Sequence, residues 1–217
     1  MSLATQLNAV VTGFELHAPQ NVQDDINASK SECAETFDWA SAIKAGSILP
    51  TFTLLDAHGI EATSASLLAK GPVLITFYRG SWCPFCNLAL RDLQKHLSAF
   101  AAKGVMLVAI SPQLPDQSLS TAEKADLKFT VLSDVGNQFA RKLGIVWKQP
   151  DTLRSHFDAF GHDLQAVNGD DSFEVPIPTT LLVDRGAIVR NVFIETDYTK
   201  RLDSEVALGW VDALRAI

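Results

Sequence analysis

Residues 77–87 read F-Y-R-G-S-W-C-P-F-C-N, a stretch that predicts where a buried strand ends and a helix begins. The overlapping run at residues 72–78 is short and rich in β-branched and aromatic side chains, as is typical of a buried strand. Pro84 suits the first turn of a helix, where its missing amide hydrogen costs nothing, so we expect Cys83 at the N-cap. The apolar face of the helix is then marked by Phe85, Ala89, Leu93, Leu97 and Phe100.

Cys83 and Cys86 stand one turn apart at the start of this predicted helix. The free amides and the dipole of a helix N-terminus favour a thiolate, so we expect Cys83 to be the attacking sulfur. Residues one turn apart have Cβ atoms about 5–6 Å from each other, a separation from which a disulfide can form. Cys86 is therefore expected to be the resolving thiol, and the sequence predicts one redox-active pair.

Composition and charge limit the classes of partner. The chain of 217 residues has a formal net charge of −7, which argues against a nucleic-acid or anionic-membrane surface. Residues 1–11 lack the features of a signal peptide, and no apolar stretch approaches the roughly 18 residues of a membrane-spanning helix. The paired cysteines are of the cytosolic redox type. We therefore expect a cytoplasmic protein with no membrane or nucleic-acid partner.

Residues 1–45 differ in pattern from the rest and are predicted to form an N-terminal helical arm on a main domain at 46–217. A weaker helical pattern at residues 22–43 follows Pro19, which separates it from a first helix. The first helix is marked by Leu3, Leu7, Val10, Val11 and Phe14. The arm is expected to pack on the main domain or on a second subunit, which would make a homodimer; a loosely held extension is the alternative.

The lone Cys33 lies in this arm. One interpretation is a second resolving thiol or an intermolecular disulfide, and the other is a small apolar residue that fills space. We favour the second, because nothing nearby in the sequence would activate the thiol.

The main domain alternates predicted strands and helices. Strands are predicted at residues 49–55, 73–78, 105–110, 129–133, 179–184 and 188–194. Helices are predicted at residues 63–70, 84–103, 137–143 and from 203 or 204 onward, with one more begun by a capping box at Ser120 and Glu123. A long irregular connection is expected at 146–171. This order predicts a mixed sheet with helices on both faces, and chemistry at the carboxyl end of a central strand.

The combination of a strand, W-C-x-x-C, a long helix and I-P-T before a late strand resembles the thioredoxin fold. Three further motifs narrow the resemblance to the peroxiredoxin-like branch of the alkyl hydroperoxide reductase/thiol-specific antioxidant (AhpC/TSA) family. They are L-P-T-F-T-L at 49–54, A-I-S at 109–111 and V-L-S-D at 131–134. The resemblance covers roughly residues 46–217. It implies an α/β, thioredoxin-like fold with a central mixed sheet flanked by helices.

The resemblance also implies site residues. Cys83 occupies the peroxidatic position, and Pro178 is expected to be a cis-proline facing it, with Thr179 beside it in the active-site pocket. Trp82 is expected to cover the sulfur and shape the partner surface. An ordinary trans-proline at the start of a strand is the alternative for Pro178.

Two features depart from the family pattern. The family carries threonine or serine three residues before the peroxidatic cysteine, where this chain has Gly80. The family also uses an arginine near the start of the late strand to polarise the peroxide, about where this chain has Pro178. Arg79 is a candidate substitute in the active-site pocket, although a solvated surface charge is an equal alternative.

The leading hypothesis is a thiol peroxidase that reduces hydrogen peroxide or organic hydroperoxides. Cys83 would become a sulfenic acid, Cys86 would condense with it, and an external thioredoxin-like dithiol protein would reduce the disulfide. The rival is a thioredoxin-like disulfide oxidoreductase without peroxidase activity. A third hypothesis is a non-enzymatic interaction module with a static disulfide.

No cofactor or metal is expected. A structural zinc site needs four ligands, and only the two paired cysteines are clustered in the sequence. His156 and His162 flank Asp158 in the long connection, where a histidine pair is more often part of the surface than a ligand set.

Overall fold

The computed structural model describes residues 1–118 and 126–215. Its strands are β1 (Thr53–Asp56), β2 (Glu61–Thr63), β3 (Val73–Phe77), β4 (Met106–Ser111), β5 (Thr130–Ser133), β6 (Val146–Lys148), β7 (Glu174–Pro176), β8 (Thr179–Val183) and β9 (Val189–Ile194). All but β6 and β7 belong to one sheet, in the order β2-β1-β5-β4-β3-β8-β9. The strands β6 and β7 form a separate antiparallel pair.

The helices are α1 (Leu3–His17), α2 (Gln20–Thr36), α3 (Ser64–Leu68), α4 (Pro84–Ala102), α5 (Gln138–Lys142), α6 (Arg154–Ala159), α7 (Leu164–Asn168) and α8 (Ser204–Arg215). Residues 115–118 are also helical. The helix predicted to begin at Ser120 lies outside the described residues. Within those residues, no helix has the length and apolar character that a membrane crossing requires.

The strand β3 lies at the centre of the sheet, parallel to β4 and antiparallel to β8. Its side chains enter two cores because successive residues of a strand point to opposite faces. Val73, Ile75 and Phe77 share one core with residues of α3 and α5. Leu74 shares the other with residues of α4 and α8. The predicted mixed sheet with helices on both faces is therefore confirmed.

The helical arm packs against the rest of this chain. Leu3 and Leu7 of α1 share a core with Phe85 and Leu90 of α4. Its second helix contributes Cys33, which is 3% exposed, to the core of the central sheet. Packing on the main domain was one of the expected arrangements. Contact with a second subunit stays a prediction, as does the domain boundary after residue 45.

Cys33 is confirmed as a buried apolar residue that fills space. Burial raises the pKa of its thiol to about 11, so the group is a neutral thiol at ordinary pH. The positive charge of Arg79 opposes this shift without cancelling it.

The second helix of the arm ends earlier than the apolar pattern predicts. It stops at Thr36, and Phe37 is extended, with φ −64° and ψ 122°. The Asp38 carboxylate then accepts hydrogen bonds from the amides of Ala40 and Ser41. Because such local bonds favour a turn over a helix, the helical prediction is wrong beyond residue 36.

Two other boundaries differ from the sequence prediction. The first strand begins at Thr53 instead of residue 49, and Ile48 forms only an isolated bridge with Ile188. The connection after residue 146 is not wholly irregular, because it contains β6, α6 and α7. These short elements carry side chains toward the cysteine pair.

Candidate active site

The loop between β3 and α4 places the cysteine pair where the sequence predicts it. Cys83 is the N-cap of α4, and Pro84 follows as its first residue. The Cys83 amide donates a hydrogen bond to the Gly80 carbonyl at 3.1 Å. The loop is fixed further by Ser81, whose amide donates to Gln113 Oε1 at 2.8 Å. These two hydrogen bonds therefore fix the turn that carries the cysteine pair, at the carboxyl end of β3.

Gly80 stands where the family has threonine or serine, and the structure explains why a glycine is required. Its φ is +146°, a backbone conformation that side chains rarely adopt. A Cβ atom at this position would lie 2.4 Å from Trp82 Nε1. The hydroxyl of the adjacent Ser81 accepts a hydrogen bond from Gln113 Nε2 at 3.2 Å.

Both sulfurs of the pair are free thiols, and each residue is only 1% exposed. Arg201, in the segment after β9, lies close to both. Its Nη2 is 3.2 Å from Cys86 Sγ and 3.9 Å from Cys83 Sγ. Cys86 Sγ also accepts a hydrogen bond from the Arg79 amide at 3.4 Å. The resolving sulfur thus has more donors around it than the predicted attacking sulfur.

The two thiols therefore differ in acidity. Burial and the hydrogen bond with Cys86 raise the pKa of Cys83 well above its ordinary value. Burial opposes ionisation of Cys86 too, but the hydrogen bond from Cys83 and the charge of Arg201 lower the pKa of Cys86 well below its ordinary value. The donors around Cys86, from Arg201 and from the Arg79 amide, thus favour the first negative charge of the reduced pair on Cys86.

The expectation that the helix terminus keeps Cys83 ionised is wrong for this conformation. The Cys83 side chain makes no capping hydrogen bond to the first amides of α4, so it does not receive the donors on which that expectation depends. Its sulfur is buried against apolar groups, and burial disfavours the charged form. The structure does not test which sulfur attacks, and that role remains a proposal.

Arg79 is a buried residue, which excludes the solvated-charge alternative. It is 5% exposed, and its guanidinium carbon lies 4.7 Å from the ring centroid of Trp82 and 4.1 Å from that of Tyr198. Its Nη2 donates to Gln149 Oε1 at 2.5 Å. These contacts hold the side chain between two aromatic rings near the sulfurs. The guanidinium within hydrogen-bond distance of Cys86 Sγ is nevertheless that of Arg201.

A cavity of about 210 Å³ opens on Cys83. Its aromatic lining residues are Phe14, Trp82, Phe85, Phe157, Phe160 and Tyr198. Trp82 meets Phe157 edge to face, with ring centroids 5.0 Å apart. Trp82 thus forms a wall of the cavity that Cys83 lines, and its expected role in shaping the partner surface stays a prediction.

Pro178 is a correction to the sequence prediction. No described peptide bond is cis, so the Ile177–Pro178 bond is trans. Residues on either side of it bond to different segments: the Ile177 amide donates to the carbonyl of Ile145, just before β6, and Thr179 aligns with Phe77 of β3. Proline has no amide hydrogen to donate, so Pro178 can stand between these two pairings while the chain stays extended.

Thr179 and Pro178 also lie outside the Cys83 cavity. The Thr179 hydroxyl donates to the Ile177 carbonyl at 2.9 Å. Both residues line a smaller cavity that they share with Arg201. The structure thus brings Arg79, Trp82 and the cysteine pair together, whereas Pro178 and Thr179 line a different cavity with Arg201, and Pro178 lines a third one with Arg79.

The two histidines of the connection contact side chains of the protein. His156 Nε2 lies 2.7 Å from Asp25 Oδ2, which joins α6 to α2 of the arm. His162 lies beside Trp82, with ring centroids 6.2 Å apart. Across residues 1–118 and 126–215, no three His, Cys, Asp or Glu side chains are grouped so that they could hold a metal ion.

Two site residues, Arg201 and Gln149, were missed by the sequence analysis. Arg201 follows the last strand in a polar segment without a motif, and Gln149 lies next to Pro150 in the connection. No local signal identifies either of them. Their positions depend on how distant segments fold over the loop at residues 78–83.

Fold and site together define a thioredoxin-fold protein with a dithiol redox centre at the start of a helix. A family model described as "AhpC/TSA family" matches residues 45–192. The chain belongs to this family, as the resemblance in its motifs indicated.

Individual relatives agree. Peroxiredoxin Bcp of Escherichia coli (strain K12) is 28% identical over 132 residues, which are 61% of this chain and 83% of that protein. Chloroplastic peroxiredoxin Q of Gentiana triflora is 30% identical over 103 residues, 48% of this chain and 47% of that protein. The crystal structure of peroxidoxin BcpB from Mycobacterium tuberculosis is similar with a TM-score of 0.63 and 21% identity, over 80% of this chain and 99% of that one. The structural likeness confirms the predicted thioredoxin-like fold.

Proposed function

We propose that the protein is a thiol-dependent peroxidase that reduces hydrogen peroxide or organic hydroperoxides through Cys83 and Cys86. One observation carries the proposal: a buried dithiol pair is contacted by the guanidinium of Arg201 and opens, at Cys83, on a cavity. Membership of the AhpC/TSA family and the similarity to peroxiredoxins favour this reaction over disulfide exchange without peroxide.

Cys83 is the attacking residue because it is the sulfur of the pair that lines the cavity. Its proton passes along the hydrogen bond to the Cys86 thiolate as Cys83 Sγ attacks the distal oxygen of the hydroperoxide. The O–O bond breaks, an S–O bond forms, and the leaving alkoxide or hydroxide takes up the proton that Cys86 received, so Cys86 is a thiolate again. The products of this step are a Cys83 sulfenic acid and an alcohol or water.

Cys86 then closes the cycle within the protein. Its thiolate attacks Cys83 Sγ and forms the disulfide, and the sulfenic oxygen leaves as water after it takes up a proton. The overall step converts two thiols and one hydroperoxide to a disulfide, an alcohol and water. An external dithiol of the thioredoxin type reduces the disulfide by exchange. A cytoplasmic location and a homodimer stay predictions.

Arg201 supplies the positive charge that the family pattern places near the late strand. It lies within 3.9 Å of both sulfurs, whereas the sequence candidate Arg79 donates a hydrogen bond only from its backbone amide, to Cys86 Sγ. We assign to Arg201 the stabilisation of negative charge on the sulfur pair, first on Cys86 and then on the departing oxygen.

The experiment that tests this function mixes the reduced protein with hydrogen peroxide and with an organic hydroperoxide. Loss of peroxide and a change of tryptophan emission are followed by stopped flow. We expect one equivalent of hydroperoxide to be consumed per protein, and peptide mapping to find a Cys83–Cys86 disulfide. Reduction of insulin disulfides without any consumption of peroxide would instead identify the rival, a disulfide oxidoreductase.

A further inference from the structure

The cavity on Cys83 is larger than hydrogen peroxide requires. Its volume is about 210 Å³. An apolar cavity of about 150 Å³ already holds a benzene ring, and one water molecule takes up about 30 Å³ of the liquid. Hydrogen peroxide is not much larger than water, so it would fill a small part of this space. The cavity has room for a body the size of an aromatic ring attached to a hydroperoxyl group.

The walls of the cavity are mainly aromatic and aliphatic, as is usual for sites that bind small organic molecules, and Arg79, Gln149 and His162 are its polar lining residues. The arm contributes Phe14 and Ile26, and the connection contributes Leu153, Phe157 and Phe160. The two arm residues precede the segment 45–192 that matches the family model. The walls are thus built in part by a region that the family model does not cover.

Gln149 supplies a polar group to the same cavity. It is 1% exposed, and its Oε1 accepts the hydrogen bond from Arg79. Its Nε2 has no hydrogen-bond partner among the described residues. A buried donor without a partner is costly, and an oxygen atom of a bound molecule would satisfy it.

We propose that this cavity selects hydroperoxides with an apolar body about the size of an aromatic ring, an inference that rests on the peroxidase function proposed above. The hydroperoxyl group lies between Cys83 Sγ and Gln149 Nε2, and the apolar body packs against Phe157 and the residues of the arm. The distal oxygen is transferred to Cys83, and the body leaves as the corresponding alcohol. Burial of the body adds binding energy that hydrogen peroxide cannot supply.

The first test compares hydrogen peroxide, tert-butyl hydroperoxide and cumene hydroperoxide as oxidants of the reduced protein in stopped flow. Each second-order rate constant is divided by that of the same peroxide with a small free thiol, which removes intrinsic reactivity. We expect the normalised value for cumene hydroperoxide to exceed that for hydrogen peroxide by about tenfold or more. Equal values, or a higher value for hydrogen peroxide, overturn the inference.

Variants of the walls provide the second test. Phe160→Ala removes a wall from a half-exposed position, and Ile26→Trp fills the cavity from the arm. We expect the ratio of the cumene to the hydrogen peroxide rate to fall about threefold in the first and about tenfold in the second. Ile60→Ala, at an exposed position that does not line the cavity, is the matched control and keeps the wild-type ratio. A wild-type ratio in both wall variants contradicts the inference.

The proposed hydrogen bond from Gln149 Nε2 to the hydroperoxyl group is tested separately with Gln149→Met. This variant keeps the volume of the side chain and removes the amide donor. We expect the rates with all three hydroperoxides to fall by a similar factor of about five to ten, because the hydroperoxyl group is common to them. If only the cumene rate falls, Gln149 belongs to the wall and the proposed orientation is wrong. Absence of oxidation by any hydroperoxide would contradict the peroxidase function itself, whereas oxidation without size preference contradicts only the selectivity.

Discussion

The two sulfurs of the active pair are one helical turn apart, yet their surroundings are opposite in character. Cys86 faces donors, with Arg201 Nη2 at 3.2 Å and the Arg79 amide at 3.4 Å. Cys83 lines an apolar, aromatic cavity and lies farther from the same guanidinium, at 3.9 Å. Charge is therefore stabilised on one sulfur while access is given to the other.

This difference shows how a buried dithiol can react without being exposed. In the proposed reaction a thiolate on Cys86 accepts the proton of Cys83 at the moment of attack, so the attacking sulfur need not be ionised beforehand. The cavity that Cys83 lines gives the oxidant a route to that sulfur in the proposed reaction. Each prediction below alters one side of this comparison.

The largest effect on peroxide consumption is expected when each cysteine of the pair is replaced by serine in turn. Cys83→Ser should lower peroxide consumption at least about a thousandfold, because it removes the nucleophile. Cys86→Ser should still complete one turnover, since Cys83 keeps its access to the cavity, and leave a sulfenic acid that dimedone traps. Mass spectrometry after a single addition of peroxide distinguishes the two. A trapped sulfenic acid on Cys86 in Cys83→Ser would reverse the assignment of the roles.

Removal of the charge beside Cys86 is expected to have the next largest effect. Arg201→Gln should raise the pH at which the pair first ionises by about one unit or more, and lower the oxidation rate about tenfold to a hundredfold. Ultraviolet absorbance of the thiolate as a function of pH gives the first quantity, and stopped flow gives the second. The direction follows because loss of a cation disfavours the anion beside it.

Lys200→Gln is the matched control for this change. It removes the same formal charge from the neighbouring residue, whose side chain is 64% exposed and reaches Glu195 only at 3.9 Å. We expect Lys200→Gln to match wild type in the pH of first ionisation and in the oxidation rate. For both quantities, Arg201→Lys should lie between wild type and Arg201→Gln. Equal behaviour of Arg201→Gln and Lys200→Gln would show that Arg201 acts only through the overall charge of the segment.

The sequence predicted those features of the site and fold that depend on local chain geometry. Cys83 is at the N-cap because Pro84 and the apolar spacing after it determine where α4 starts. The alternation of Val73, Leu74 and Ile75 between two cores likewise follows from the strand period. Such features need only a few neighbouring residues, so they can be read from the motif.

The features of the site that depend on distant segments were missed. Arg201 contacts a sulfur 115 positions earlier in the chain, and nothing in the residues around Arg201 indicates that contact. The error at Pro178 has a related cause: the motif is compatible with both isomers, and the residues around it do not indicate that the bond is trans. The thiolate was assigned to Cys83 from its helical position alone, without the donors that surround Cys86.

A smaller effect is expected at the loop that carries Cys83. Gly80→Ala places a Cβ atom 2.4 Å from Trp82 Nε1 at a residue with φ +146°. We expect a loss of about 2 to 3 kcal/mol in the free energy of unfolding and a change of tryptophan emission, because the indole ring must move. Gly59→Ala is the control: its φ is +78° but nothing lies within 4 Å of the added atom. A loss no greater than that of Gly59→Ala would show that Trp82 does not require the glycine.

Cys33 provides the smallest expected effect and a reference for the pair, since it is a buried thiol without the arginine contact of Cys86. Burial raises its pKa to about 11, against an ordinary value of 9.0. The unfolded chain therefore releases this proton first as pH rises, and the stability that the neutral thiol contributes is present below the unfolded pKa and lost between the two values. Between about pH 8 and about pH 10 the difference in free energy of unfolding between wild type and Cys33→Ala should shrink by about 1 kcal/mol. Urea unfolding of both proteins at the two pH values measures it, and comparison with the variant cancels the other groups that titrate in this range. A difference that grows with pH would mean that Cys33 is stabilised as a thiolate, as Cys86 is, and that donors rather than burial control its charge.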